Sequence, residues 1–225
     1  MSPLPSKGQH ELEKLVLGNI PRDALMALED AYYGGDQKGR VHAAPFAEGH
    51  RPSAAGQVKH FHINEEFHQA LSAHGANPTP LRGTRLVVGR LGIFNIVRLN
   101  VPGHKWTNLQ RSATRRELAE LNENIQRKFV QPDLFVQGER DVAEATIFVL
   151  GVMDGLDANG ISQLTHCMVA IPASDMQSWL YLKTMAEFLS LYDRAAPNSQ
   201  IDKAVPRLKG GRSNKRTGTD DPGNS

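Results

Sequence analysis

His60 and His62, one residue apart, and Glu66, four residues further on, are residue types that could hold a divalent metal. On a strand, side chains two apart share a face, so both imidazoles could turn to one ion. Cys167 is the only cysteine, which excludes an internal disulfide framework and any multi-cysteine zinc or iron–sulfur site. It lies in the apolar run Gln163–Ile171, where a small core residue is the plainer reading than a nucleophile. The sequence contains no G-x-S-x-G, no Walker loop, no dinucleotide fingerprint and no H-E-x-x-H. A non-enzymatic protein without a cofactor is therefore expected. A small metal-dependent enzyme using His60, His62 and Glu66 is the alternative.

A second chemistry is polyanion binding. Residues 80–130 carry ten lysines and arginines against the three glutamates Glu117, Glu120 and Glu123, whereas residues 131–193 carry two basic residues against nine acidic ones. Within the basic block, Arg98, Lys105, Trp106, Arg111, Arg115 and Arg116 combine cations for phosphate with a ring for base stacking, the mixture single-stranded nucleic-acid binders use. The opposed reading is that the basic and acidic segments face one another, within the fold or between copies, which gives a protein–protein adaptor or immunity-type module.

Gln131-Pro132-Asp133-Leu134-Phe135 follows a predicted helix and precedes a polar stretch. These five residues resemble the short peptide by which bacterial replication and repair proteins bind the sliding clamp of the replicative polymerase. The resemblance implies that Gln131 anchors one end by hydrogen bonds, Asp133 makes a polar rim contact, and Leu134 and Phe135 fill an apolar pocket. Pro132 stands where that peptide usually has leucine, losing one apolar contact and a backbone donor while stiffening the extended form. His-x-His with Glu66 similarly resembles the core of the first cupin metal motif, but no later histidine stands in the context of the second.

The elements that must position these residues follow from periodicity and punctuation. Residues 8–17 and 21–32 read as two helices, with Pro21 opening the second. Gly34 to Gln57 is rich in Gly, Pro, Ala and His and reads as a flexible linker; Val58–Ile63 reads as a short strand and Asn64–Ala73 as a helix. Arg85–Leu91 and Ile93–Val101 are β-branched runs around Gly92, with Val97, Leu99 and Val101 on one face and Arg98 and Asn100 on the other. Thr114-x-x-Glu117 reads as a capping box opening a helix to Phe129, with Leu118, Leu121, Ile125 and Phe129 as its buried stripe. Ala145–Met153 and Gln163–Ile171 read as strands, and the stretch after Pro172 as a last helix to Tyr192, apolar nearly all round.

The 225 residues, net charge +2, thus divide into N-terminal helices (1–33), a flexible linker (34–57), an α+β domain (58–193) and a disordered basic tail (194–225). The expected fold is α+β, with an antiparallel sheet of four or five strands and helices packed on one face. No apolar run approaches the roughly 20 residues of a membrane helix, so a cytoplasmic location is expected, with the polymerase clamp and DNA as partners. The function this predicts is an accessory protein of bacterial DNA replication, repair or a mobile element.

Overall fold

The computed structural model describes residues 6–83, 85–102, 106–130 and 142–195. Three helices open the chain: α1 (Ser6–Asn19), α2 (Arg22–Ala43) and α3 (Arg51–Ala73). Their buried positions follow helical spacing: Leu12 and Val16 on α1, with Ile20 just past its end; Ala24, Leu25, Leu28, Ala31 and Tyr32 on α2; Ala55, Ile63, Phe67 and Leu71 on α3, with Lys59 midway between the first two. Each helix therefore presents one apolar stripe, which must be covered.

The sheet supplies that cover. Its order is β1 (Val88–Leu91), β2 (Phe94–Pro102), β3 (Ala145–Leu156), β4 (Ser162–Pro172) and β5 (Trp179–Thr184). Three of the four pairings are antiparallel, and β2 and β3 run parallel, with Arg98 opposite Val149 and Asn100 opposite Gly151. The β1–β2 turn runs through Gly92, whose φ of 55° and whose approach to the Asn19 side chain both require glycine.

Parallel neighbours need a crossover. Here it comprises a 3-10 helix (Trp106–Arg111), α4 (Ala113–Glu120), the single turn α5 (Glu123–Ile125) and a π-helical turn (Gln126–Val130). The fold is thus α+β, as the sequence predicts, with a mostly antiparallel sheet; the parallel β2–β3 pair departs from the expected antiparallel order, and its crossover adds helical cover on a second face where one was expected. Helices α1 to α3 and α6 (Met185–Ala195) share a core with Ile96, Ile147, Val149, Cys167, Val169 and Ile171 on one face. The crossover lays Leu109 and Ala119 on the opposite face, against Val97, Leu99, Val101, Phe148 and Leu150. Cover on both faces explains the unbroken apolar run of β3.

Several local expectations are corrected. Residues 34–43 and 51–57 are helical rather than a linker, and the N-terminal helices belong to the same core as the sheet. The glycines of α2 serve close packing: a Cβ at Gly35 would stand 2.6 Å from the Ile63 Cα, and one at Gly39 the same distance from the Lys59 Cα. Val58–Ile63 lies within α3. The capping box is absent, since α4 begins after Ser112 without a side-chain cap, and the helix breaks at Leu121–Asn122 instead of running to Phe129. The stretch after Pro172 turns through Met176, at φ 60°, into β5 before α6 begins. Its all-round apolarity belongs to a strand followed by a helix. The expected tail beyond residue 195 lies outside the described residues.

Candidate functional site

The most unusual chemistry in the fold is on β2. Alternation turns Arg98 away from Val97 and Leu99, toward α2 and α3, where it is 2% exposed. Its Nε donates to Asn64 Oδ1 at 2.7 Å, its Nη1 to Asn100 Oδ1 at 2.8 Å, and its Nη2 lies 2.8 Å from His60 Nδ1. The guanidinium carbon is 6.0 Å from the centre of the Tyr32 ring. The Tyr32 hydroxyl sits between the carbonyl oxygens of Leu99 and Val149, at 2.9 and 2.7 Å. Gly151 makes room for that ring, since a Cβ there would lie 2.4 Å from it. Every oxygen or nitrogen that accepts from Arg98 is neutral, and no carboxylate pairs with it among the described residues. Burial therefore works against its charge.

Arg98 cannot lose its proton, so His60 Nδ1 must accept and Nε2 must carry the ring hydrogen. That nitrogen faces Asn64 Nδ2, another donor, at 3.2 Å. Burial first, and then the Arg98 charge, hold the His60 pKa below its ordinary 6.5. A His kept neutral in the fold takes up its proton more readily when unfolded, so it supports stability above pH 6.5 and withdraws that support as pH falls below it. His60→Gln, which still offers Arg98 an acceptor, should flatten the loss of Tm between neutral pH and about pH 5. Thermal melts with parallel acid limbs for both proteins would contradict this.

A second polar cluster lies along the α2–α3 hairpin. Asp36 is 2% and Lys59 4% exposed; Lys59 Nζ lies 2.9 Å from Asp36 Oδ1, and Arg40 Nε donates to Asp36 Oδ2 at 3.0 Å. Lys59 also donates to the Ser162 carbonyl, which ties the hairpin to the start of β4. Further along, Lys38 pairs with Glu66, and His42 Nδ1 lies 2.7 Å from His62 Nε2. The metal alternative fails here for a geometric reason. His60, His62 and Glu66 stand on a helix rather than a strand, and they turn to Arg98, His42 and Lys38 respectively. No group of three metal-capable side chains converges among the described residues.

The basic block is reduced in the same way. Arg98 is buried, so it leaves the expected nucleic-acid surface. Arg115 is half-buried, and burial lowers its pKa. Arg111 and Arg116 are exposed, as are Arg127 and Lys128, but Glu117, Glu120 and Glu123 are exposed among them and Glu123 pairs with Arg127. Lys105 lies outside the described residues, and Trp106 opens the 3-10 helix. Gln131, Asp133, Leu134 and Phe135 also lie outside the described residues. Burial first, and then the Glu29 charge, push the Cys167 thiol up, which fits a core residue and not a thiolate.

Sequence reasoning names His60 and Arg98 but misses their association, and it misses Asp36, Lys59, Asn64 and Asn122. The signal for Lys59 was its four-residue spacing from Ala55 and Ile63, which places a lysine on a buried stripe. No helix is long and apolar enough to cross a membrane among the described residues. No family model matches the chain, and no curated protein or solved structure matches it.

Proposed function

We propose that this chain is a non-enzymatic accessory protein that docks on the sliding clamp of a bacterial replicative polymerase through Gln131, Asp133, Leu134 and Phe135, in DNA replication, repair or a mobile element. The observation that supports it is that the described residues on either side of this stretch of the crossover, up to 130 and from 142, are fixed to the fold. Before it, Phe129 packs on the core. After it, Val142 packs on the same core, the Ala143 carbonyl accepts from Arg90 at 3.1 Å, and Glu144 accepts from Asn95 at 2.8 Å. A recognition peptide in a segment tethered to the fold at residues 130 and 142 has less entropy to lose on binding than one in a free chain. Among the residues whose side chains are described, the nucleic-acid part of the reading rests on Arg111 and Arg116, beside Lys105 and Trp106 of the same crossover; three exposed glutamates in α4 and α5 make it a weak, salt-sensitive contact.

Titration against purified clamp tests the reading. The wild type should bind, and Gln131→Ala/Leu134→Ala/Phe135→Ala should bind at least about tenfold more weakly, because the apolar pair and the anchoring amide would carry most of the energy. Equal affinities, or no binding by the wild type, overturn the proposal. Self-association at low salt would then return the charge segregation to the adaptor reading.

A further inference from the structure

Among the described residues, the Arg98 cluster holds more hydrogen-bond donors than acceptors. Arg98 commits three of its five N–H donors, to two amide oxygens and one imidazole nitrogen. The imidazole nitrogen is thereby used, and each amide oxygen keeps one further lone pair. The Asn64 amide nitrogen, on a side chain 4% exposed, faces the His60 Nε2–H rather than an oxygen. Tyr32 supplies a ring face to the guanidinium; its hydroxyl proton goes to main-chain carbonyls, and its oxygen favours the Arg98 charge without carrying a formal charge of its own. A buried cation in such company is costly unless an anion completes it. His60 on α3 and Asn100 on β2 are half-buried, so they are the members of the cluster that water reaches, whereas Arg98 and Asn64 are buried behind them.

We propose that Arg98, Asn64, Asn100 and His60 form a binding site for a small oxyanion, a carboxylate or phosphate group, which enters between His60 and Asn100. A planar guanidinium is the side chain best matched to two oxygens of such a group. The arriving oxygens take over donors from the rim: Asn100 releases its oxygen from Arg98 and turns its amide N–H to the anion, and His60 Nε2–H gains an acceptor in place of an opposing donor. The site binds the group without breaking a covalent bond, and it is separate from the crossover peptide, so it stands or falls independently of clamp binding.

The probes are inorganic phosphate and acetate, each titrated against the full chain by thermal shift and calorimetry, with potassium chloride holding ionic strength constant. At about a hundredfold excess over Kd, the preferred anion should raise Tm by roughly 5 °C and saturate with one site per chain. A larger response to phosphate identifies a phosphorylated ligand, and a larger response to acetate a carboxylic acid. Asn100→Ala and His60→Ala, both at the half-buried rim, should each weaken binding about tenfold, and Arg98→Met should abolish it. Where Arg98→Met does not fold, the two rim variants decide. The proposal is overturned if neither anion gives a saturable shift beyond that of chloride, or if the rim variants bind as the wild type does. Either result makes Arg98 a structural residue satisfied by neutral acceptors.

Discussion

Replacing Asp36 by alanine should destabilise the protein by about 3–5 kcal/mol, the range for removing one member of a buried ion pair and leaving the other charged. Asp36 lies between Lys59 and Arg40, and the two lysine and aspartate side chains are almost fully shielded from water. Arg40 is partly exposed and can re-solvate when the carboxylate is lost, whereas Lys59 is almost fully buried and keeps the Ser162 carbonyl and the more distant charge of Asp157. The cost therefore falls mainly on Lys59. Asp36→Asn should be nearly as damaging, since it keeps the shape and removes the charge. Asp36→Leu combined with Lys59→Met should recover much of the loss, because no buried charge is then left unpaired and the partly exposed Arg40 turns to water. Urea denaturation of the three variants reads these differences directly. A loss below about 1 kcal/mol for Asp36→Ala would mean that the pair is hydrated as a surface pair is.

The same residues show where the sequence could be read and where it could not. Segments with apolar side chains at regular spacing were legible: residues 8–17, which contain Leu12 and Val16, and the run Ala145–Met153 read as the helix and strand that α1 and β3 are. Residues with two physical uses misled. Glycine favours turns, and it also lets two helices approach until backbone meets backbone, so Gly35 and Gly39 read as linker residues when they form the α2–α3 contact. Lys59 on the buried stripe of α3 broke the apolar period there and let Val58–Ile63 pass for a strand. Arg98 was placed on the correct side of β2, opposite Val97 and Leu99, but alternation cannot say which side meets solvent. Both sides are covered, and a residue read as surface charge became the centre of a buried cluster. Association across sequence distance, such as His60 with Arg98, leaves no local trace at all.

The crossover gives the second large effect. Asn122 is fully buried at the break after α4, and it holds three backbone groups of two strands. Its Nδ2 donates to the carbonyls of Thr146 and Pro172 at 3.0 and 2.9 Å, and its Oδ1 accepts from the Thr146 N–H at 2.7 Å. The start of β3 and the end of β4 are thus joined through one side chain, at the point where the crossover turns toward α1. Asn122→Ala leaves an N–H and two carbonyls buried without partners, and at about 1–3 kcal/mol each with partial relaxation the loss should reach about 3–5 kcal/mol. Asn122→Asp discriminates between packing and hydrogen bonding. The isosteric carboxylate still accepts from Thr146, but once ionised it confronts two carbonyl oxygens, so it must be buried protonated. Its folded-state pKa is then raised, the unfolded chain releases the proton first, and stability falls as pH rises through the ordinary carboxyl range. Asn122→Asp should accordingly come closest to the wild type in acid and fall behind it at neutral pH, whereas Asn122→Ala should show a constant deficit. Hydrogen exchange at the Thr146 amide should lose its protection in Asn122→Ala before the rest of β3 does. If that amide stays protected and Asn122→Ala unfolds with the wild-type midpoint, the crossover is held by its apolar contacts alone, and Leu109, Ala119 and Ile125 carry what is assigned here to Asn122.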